Sequence, residues 1–103
     1  MDRSLPVDVR IDIGTGVLVE LFGLAVRQLR EQRRWSQERL AEASDLNRSY
    51  VGEVERGAAI ASLVTAHKLA LALGVDLPSL LQHCGRIERQ RALQRIRLTA
   101  IAC

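Results

Sequence analysis

The chain has 103 residues, of which 48% are hydrophobic and only 3% aromatic, which predicts one domain with a modest core of small aliphatic side chains. No apolar run approaches the roughly 18 residues that cross a bilayer. Residues 1–20 lack a secretory signal, so we expect a cytoplasmic protein with no membrane partner. The formal net charge is +3, and all but one of the 15 basic residues are Arg. Arg can make paired hydrogen bonds to phosphate and guanine, although a GC-rich genome would produce the same bias.

Side chains suited to catalysis or metal binding are sparse. Cys84 and Cys103 lie far apart, without a CxxC or HxxxH pair, and are interpreted as reduced thiols rather than zinc ligands. The sequence has no Ser/His/Asp or Cys/His arrangement and no glycine-rich phosphate loop. We therefore expect no enzyme activity, no metal and no cofactor.

Residues 1–15 are predicted to form a strand-like arm because apolar and charged residues alternate there. The apolar positions are Val7, Val9, Ile11 and Ile13. A lone strand leaves its backbone groups unpaired, and the alternating residues 95–102 could supply the partner. We expect a small β-sheet formed by the two termini, within one chain or between subunits. An amphipathic helix or a basic tail is the alternative for residues 86–102.

Helical spacing of apolar residues predicts five helices between residues 16 and 84. The first should run from about residue 17 to 33, with Leu18 facing inward. Gly23 lies within this helix at a cost in helix propensity, which indicates that another backbone packs close to it.

The next two helices are short and each has its own start signal. Ser36 is expected to cap a helix that continues to about residue 43, with Ala43 facing inward. Asn47 is expected to cap the third helix, over residues 48–56. The turn between them contains Asp45, which can adopt the left-handed conformation at modest cost.

Ser62 should cap the fourth helix, over residues 63–73, with Leu63 inward and His67 half-buried and neutral. The last helix is expected to be short and to end near His83. Residues 85–103 then form a basic C-terminal extension with five Arg against one Glu. We expect this extension to contain a strand and to serve in dimerisation.

The outward face of the third helix is polar. Its residues are Asn47, Arg48, Ser49, Glu53 and Arg56, with Tyr50 at the flank. These side chains can hydrogen-bond base edges or phosphates, and Glu53 could accept from cytosine, orient Arg48 or repel non-cognate DNA. Gly52 costs roughly 1 kcal/mol of helix propensity relative to Ala, which is consistent with close approach to a duplex. A solvated polar face is the alternative interpretation.

The sequence resembles the Cro and lambda-repressor type of helix-turn-helix, often called the XRE family, over residues 21–82. The matching motifs are Phe22-Gly23-x-x-Val26-Arg27-x-Leu29-Arg30, Trp35-Ser36-Gln37-x-x-Leu40-Ala41, Ser49-Tyr50-Val51-x-x-Val54-Glu55-Arg56-Gly57 and Leu69-Ala70-x-Ala72-Leu73-Gly74-Val75. The resemblance implies an all-α, five-helix repressor-like domain over residues 16–84, with the helix-turn-helix at 36–55. It also implies binding to double-stranded operator DNA as a symmetric homodimer.

Roles implied by the resemblance fall on the matching positions. Gln37 would bond a phosphate and brace the first recognition residue. The DNA-contacting set would be Asn47, Arg48, Ser49, Tyr50, Glu53 and Arg56. Arg30 and Glu55 would form a partly buried salt bridge that holds the third helix in place. The loop at residues 58–61, Ala-Ala-Ile-Ala, lacks the basic residues and proline that are usual there.

The leading hypothesis is a sequence-specific transcriptional regulator, more specifically a repressor, that acts as a homodimer on a palindromic operator. The alternative is an antitoxin-type or other interaction protein that binds a partner protein through its terminal segments. The strand-like ends and the apolar loop at 58–61 favour some protein interface, and a homodimer interface explains them as well.

Overall fold

A computed structural model of the protein describes residues 15–102. This part of the chain forms five α-helices: α1 (Thr15–Gln32), α2 (Gln37–Ser44), α3 (Arg48–Glu55), α4 (Leu63–Ala72) and α5 (Leu77–Ala102). The predicted all-α, five-helix architecture is confirmed. The predicted N-terminal strand, over residues 1–15, lies almost entirely outside the described residues.

The helices begin where the sequence placed its capping residues. The side chains of Ser36, Asn47 and Ser62 each accept a hydrogen bond from the backbone N–H three residues further on, and all three residues have extended backbone angles. Asp76 does the same for Ser79, with 2.8 Å from Oδ1 to the amide nitrogen. Each cap satisfies a donor that the first helical turn leaves unpaired, which fixes the start of the helix.

One hydrophobic core joins all five helices. Its largest fully buried side chains come from all five helices and are Val26, Leu40, Val51, Val54, Leu69 and Leu80. Helix α1 packs against both α3 and α5, and α2 packs against α3 and α4. The helix-turn-helix formed by α2 and α3 is thus supported from behind by the rest of the domain.

Gly23 marks a close approach of α1 to the end of α3. A Cβ atom at this position would lie 2.8 Å from the carbonyl oxygen of Glu55 and would also strike that of Val54. Because these are backbone atoms at the end of α3, they cannot move aside without shifting the whole helix. The prediction that a backbone packs against Gly23 is confirmed.

The predicted strand in residues 95–102 is wrong, because α5 continues without a break to Ala102. The buried residues Leu80, Cys84 and Ile87 follow helical spacing through the point where the last helix was expected to end. The residues beyond them are mainly Arg, Gln, Leu and Ala, which favour helix and include no proline. Their alternation of apolar and charged side chains therefore does not indicate a strand.

Four side chains expected to be buried or half-buried are exposed: Leu18, Ala43, Leu63 and His67. In α4 the buried face is formed by Ala66, Leu69 and Ala70, and His67 points away from it. Leu18 and Leu63 lie in the first turns of α1 and α4, and each is more than half exposed. For Leu18 and Leu63 the cause is that helical spacing identifies one face but does not say how far along the helix a neighbour covers it.

Within residues 15–102 no single helix is long and apolar enough to cross a membrane. Helix α4 and most of α5 reach the required length and hydropathy only when taken together, with a 90° bend between them.

Candidate nucleic-acid interface

The turn between α2 and α3 has a defined geometry. Asp45 adopts the left-handed conformation, with φ 58° and ψ 47°, as the sequence predicted for this position. The amide of Leu46 then donates to the carbonyl oxygen of Ala41 at 2.9 Å, which closes the end of α2. Leu46 is half-buried against the core. These contacts set the direction in which α3 leaves the turn.

Helix α3 presents a polar face to solvent. Val51 and Val54 bury its inner side, while the side chains opposite are exposed. The exposed members of the predicted DNA-contacting set are Asn47, Arg48, Ser49, Glu53 and Arg56. Tyr50 is half-buried and packs against the core at the edge of this face. The structure therefore brings the predicted set together on one side of a single helix.

The Asn47 side chain already has a structural function. Its Oδ1 accepts a hydrogen bond from the amide of Tyr50 at 2.8 Å, so this oxygen caps α3. The Nδ2 group is the part of the side chain that remains able to donate to a base or a phosphate.

An ion pair between Arg30 and Glu55 connects α1 to the end of α3. Nε of Arg30 lies 2.7 Å from Oε2 of Glu55, and Nη2 lies 3.0 Å from Oε1, so the contact is bidentate. The two side chains are only 11% and 2% exposed. The hydrogen bond to Glu55 raises the pKa of Arg30 above its ordinary value, against the opposing effect of burial. The Arg30 guanidinium thus stays charged within the protein.

The same ion pair also reaches α2, which the sequence analysis did not anticipate. Nη1 of Arg30 donates to the carbonyl oxygen of Trp35 at 2.7 Å, just before α2 begins. Nε2 of Gln37, the first residue of α2, donates to Oε1 of Glu55 at 3.0 Å. Arg30 and Glu55 together therefore hold the start of α2 and the end of α3 at fixed positions on α1. We refer to Arg30, Trp35, Gln37 and Glu55 as the polar joint.

Gln37 is half-buried, and its orientation is set by Glu55. An amide nitrogen carries two hydrogens, so one N–H of Gln37 remains free after the contact with Glu55. This N–H and the Oε1 atom are the groups that Gln37 can offer to DNA. The signal in the sequence was only the spacing within the motif, and spacing does not reveal which way an amide points.

Within the polar joint, two guanidinium groups stack on the ring of Trp35, which the sequence did not reveal. The guanidinium groups of Arg33 and Arg39 lie 5.1 and 5.2 Å from the centre of its ring. Both distances are within the range of a cation–π contact. Arg33 also donates from Nε to the carbonyl oxygen of Leu73 at 3.0 Å, which fastens α1 to the end of α4.

A separate apolar surface lies beyond the C-terminal end of α3. It borders a cavity of about 180 Å³ between the first turns of α1, α4 and α5 and the loop at residues 58–61. We call it the apolar patch and define it by Leu18, Val19, Phe22, Ile60, Leu63 and Leu81. Ile60 and Leu63 are each 78% exposed. The loop that lacks basic residues is therefore part of a hydrophobic surface.

Comparison with known proteins agrees with this geometry. A helix-turn-helix family model matches residues 26–80, which include the last seven residues of α1, all of α2 to α4 and the start of α5. The control protein C.BamHI of Bacillus amyloliquefaciens is 45% identical over 62 residues, which is 59% of this chain and 76% of the relative.

Two solved structures are similar as well. The restriction-modification controller protein C.AhdI from Aeromonas hydrophila superposes with a TM-score of 0.59 at 48% identity, over 60% of this chain and 94% of that one. The clp gene regulator ClgR from Corynebacterium glutamicum superposes with a TM-score of 0.74 at 27% identity, over 82% of this chain and 89% of that one.

Proposed function

Because this chain belongs to the XRE-type helix-turn-helix family of DNA-binding transcriptional regulators, we propose that it is a sequence-specific repressor that binds a palindromic operator as a homodimer. The observation that carries the proposal is the polar, solvent-facing side of α3, held in a fixed orientation by the polar joint. We propose that it acts in the cytoplasm and has no enzymatic activity.

In this proposal the first turn of α3 enters the major groove. Arg48 and Ser49, which are exposed there, are assigned to the bases, and Asn47 offers its amide nitrogen. Glu53, one turn further along, can accept a hydrogen bond from the amino group of cytosine. Gln37 and Arg56 flank this row and are assigned to the backbone phosphates.

The apolar patch is the proposed dimer surface. Monomeric proteins rarely leave several large aliphatic side chains exposed side by side, and Leu18, Ile60, Leu63 and Leu81 are between 46% and 78% exposed. A two-fold dimer places the same patch on both subunits, so an apolar patch complements itself. The outer part of α5, residues 88–102, is less suited to self-pairing because it carries four Arg against one Glu. Like charges along two such helices would repel each other.

Selection of bound sequences from a random duplex pool tests the function. We expect a palindrome with half-sites about one helical turn apart. Arg48→Ala should weaken binding to the selected duplex by roughly 1–3 kcal/mol and relax the preference at one position in each half-site. Arg95→Ala, which removes the same charge from the exposed outer part of α5, is the matched control and should bind as the unaltered protein does. A pool that yields no enriched sequence would refute sequence-specific binding.

Sedimentation of Ile60→Asp tests the dimer surface. A buried aspartate in the centre of the patch should shift the 11.5 kDa chain from dimer to monomer and weaken binding to the palindrome. The matched control is Leu71→Asp, since Leu71 is an exposed leucine of α4 outside the patch. If both variants sediment as the unaltered protein does, the dimer surface lies elsewhere.

The antitoxin-type alternative has lost part of its basis. It rested on strand-like ends and on the apolar loop at residues 58–61, and the C-terminal end is helical. The loop belongs to the apolar patch, which a homodimer accounts for equally well. If a second protein from a cell extract slowed the migration of the protein–operator complex in a gel, this alternative would be revived. Binding of the purified protein to the operator without a second protein would leave the repressor proposal unaffected.

A further inference from the structure

Gly52 leaves a notch in the outward side of α3. It occupies the turn between Arg48 and Arg56 on that side of the helix, yet the backbone at Gly52 is buried. The atoms that cover it belong to two other side chains. A Cβ at Gly52 would lie 3.1 Å from Nη1 of Arg56 and 3.5 Å from Oε1 of Gln37. Both groups therefore border the space that a side chain at position 52 would fill.

The direction of the Arg56 side chain follows from helix geometry. Long side chains on a helix point back toward its N-terminus and lie over the residue four positions earlier. For Arg56 that residue is Gly52, and the guanidinium reaches its level because no side chain stands in the way. The positive charge is thereby moved from the C-terminal end of α3, which leads away from the proposed groove contact, to the middle of the helix.

Gln37 reaches the same notch from α2. Glu55 holds its Nε2 atom at 3.0 Å, so the amide is fixed at the edge of the notch with one N–H unused. The amide atom nearest to the notch is Oε1 of Gln37, while the guanidinium of Arg56 has no protein acceptor among the hydrogen bonds of residues 16–100. The ligand that suits a guanidinium without a protein acceptor is an anionic oxygen.

We infer that Gly52 is a positioning residue, whose missing side chain lets the Arg56 guanidinium fold back beside Gln37 so that the guanidinium binds one backbone phosphate of the DNA. This inference rests on the proposed DNA contact of α3. The phosphate contact contributes affinity and fixes the register of α3 in the groove, but it carries no base preference of its own. It also gives a reason for a glycine in the middle of an eight-residue helix, where alanine would be the better helix former.

The test compares Gly52→Ala, Gly52→Leu, Arg56→Ala and the double variant Gly52→Leu/Arg56→Ala. Binding is measured by fluorescence anisotropy between 50 and 200 mM salt, on the selected duplex and on a random duplex. Arg56→Ala should weaken binding to both duplexes by about tenfold and reduce the slope of log K against log salt by about 0.9, the value for one phosphate. Gly52→Leu should match it, Gly52→Ala should fall between, and the double variant should bind no more weakly than Arg56→Ala.

Gly85→Ala is the matched control. Gly85 also lies inside a helix, and Nη1 of Arg89, four residues further on, is 3.5 Å from the position of a Cβ there. This variant repeats the chemical change in α5, away from α2 and α3, and should leave both affinity and salt slope unchanged. Thermal unfolding of Gly52→Ala should occur at the same or a higher temperature, so that weaker binding cannot be attributed to an unstable fold.

Three results would overturn the inference. They are an unchanged salt slope in Gly52→Leu and Arg56→Ala, losses that simply add in the double variant, or a loss confined to the selected duplex. A measurement without DNA separates this inference from the proposed function. Nuclear Overhauser contacts between the side chains of Arg56 and Gln37 should be present in the free protein and absent in Gly52→Leu, whether or not a duplex binds. If these contacts exist and the unaltered protein binds no duplex, the proposed function fails and the notch geometry stands without a ligand.

Discussion

The polar joint is fixed by several contacts within the domain, whereas the outer part of α5 has few contacts with the rest of the domain. At the joint, the Glu55 side chain is 2% exposed and is shared by Arg30 and Gln37, so three helices meet at one carboxylate. Beyond Ile87, α5 leaves the body of the domain, and Leu93, Ile96 and Leu98 are each more than half exposed. Its one ion pair to the rest of the domain, among residues 16–100, is between Arg91 and Glu20 at 3.3 Å.

This contrast explains why one region was predictable and the other was not. A residue at the joint has several partners, so few side chains are compatible with its position and the motif becomes recognisable. A residue on the outer part of α5 has water for a neighbour, so many sequences are compatible and periodicity is a weak signal. Contact with the core therefore determines both stability and how much structure a sequence reveals.

Removing the carboxylate at the joint should have the largest effect on stability. Glu55→Ala leaves the Arg30 charge buried without its partner, and it frees Gln37 at the same time. We expect a loss of about 3 kcal/mol in the free energy of unfolding, measured by urea denaturation. The control is Glu31→Ala. This variant removes the ion pair between Glu31 and Arg27, two side chains that are each more than half exposed. That variant should change stability by less than about 1 kcal/mol, and equal losses in the two variants would contradict the account of the joint.

A methyl group added between α1 and α3 should have the next largest effect on stability. Gly23→Ala places a Cβ 2.8 Å from the carbonyl oxygen of Glu55, so α3 must move. We expect a loss of about 2 kcal/mol in the free energy of unfolding. Gly16→Ala makes the same change in the same helix at a position with open space around it. Gly16→Ala should be neutral or slightly stabilising. If it lost as much free energy of unfolding as Gly23→Ala, the close approach of α1 and α3 would not be the cause of the Gly23→Ala effect.

Shortening α5 should cost less. A chain that ends at Ala92 loses the exposed outer turns but keeps Arg91 and the buried Ile87. We expect the free energy of unfolding to change by less than about 1 kcal/mol, while the circular dichroism signal falls in proportion to the helix removed. Ile87→Ala, in the inner part of the same helix, should cost at least about 2 kcal/mol. If the shortened chain is less stable than Ile87→Ala, the outer turns of α5 make stabilising contacts outside a single copy of the chain.

The smallest effect is expected from His83, where the inner part of α5 meets α1. Its Nε2 atom lies 3.0 Å from Oε1 of Gln28, and Nη2 of Arg86 lies 3.2 Å from its Nδ1 atom. Burial, and then the charge of Arg86, lower the pKa of His83 below its ordinary value of 6.5. The unfolded chain therefore binds the proton more readily than the folded protein.

Since the pKa of His83 is lowered on folding, its contribution to stability is complete above pH 6.5 and is lost as the pH falls through the folded value. We expect the free energy of unfolding to decrease from pH 7 to pH 5, and this decrease should be shallower in His83→Gln. The pKa of Asp76 is lowered below its ordinary value of 3.8, chiefly by hydrogen bonds from Ser79. Asp76 therefore titrates at lower pH than this experiment covers and does not contribute to the difference between the two proteins. Identical pH profiles for the two proteins would show that His83 titrates alike in the folded and unfolded states.

Much of the helical framework follows from local rules. Ser36, Asn47 and Ser62 are short polar side chains that can satisfy a free amide, and each starts a helix as predicted. Asp45 tolerates the left-handed turn between α2 and α3 because its side chain is small and polar. The buried spacing of Val51 and Val54 then leaves the polar set of α3 facing outward.

What the sequence by itself determined is therefore the position of the caps, the turn and the two faces of α3, because these depend on residues close together in the chain. The tertiary structure decided how Gln37 and Arg56 meet over Gly52, how α5 continues past His83 and which leucines remain exposed. Those features depend on contacts between residues far apart in sequence, and side-chain spacing within one helix does not contain them.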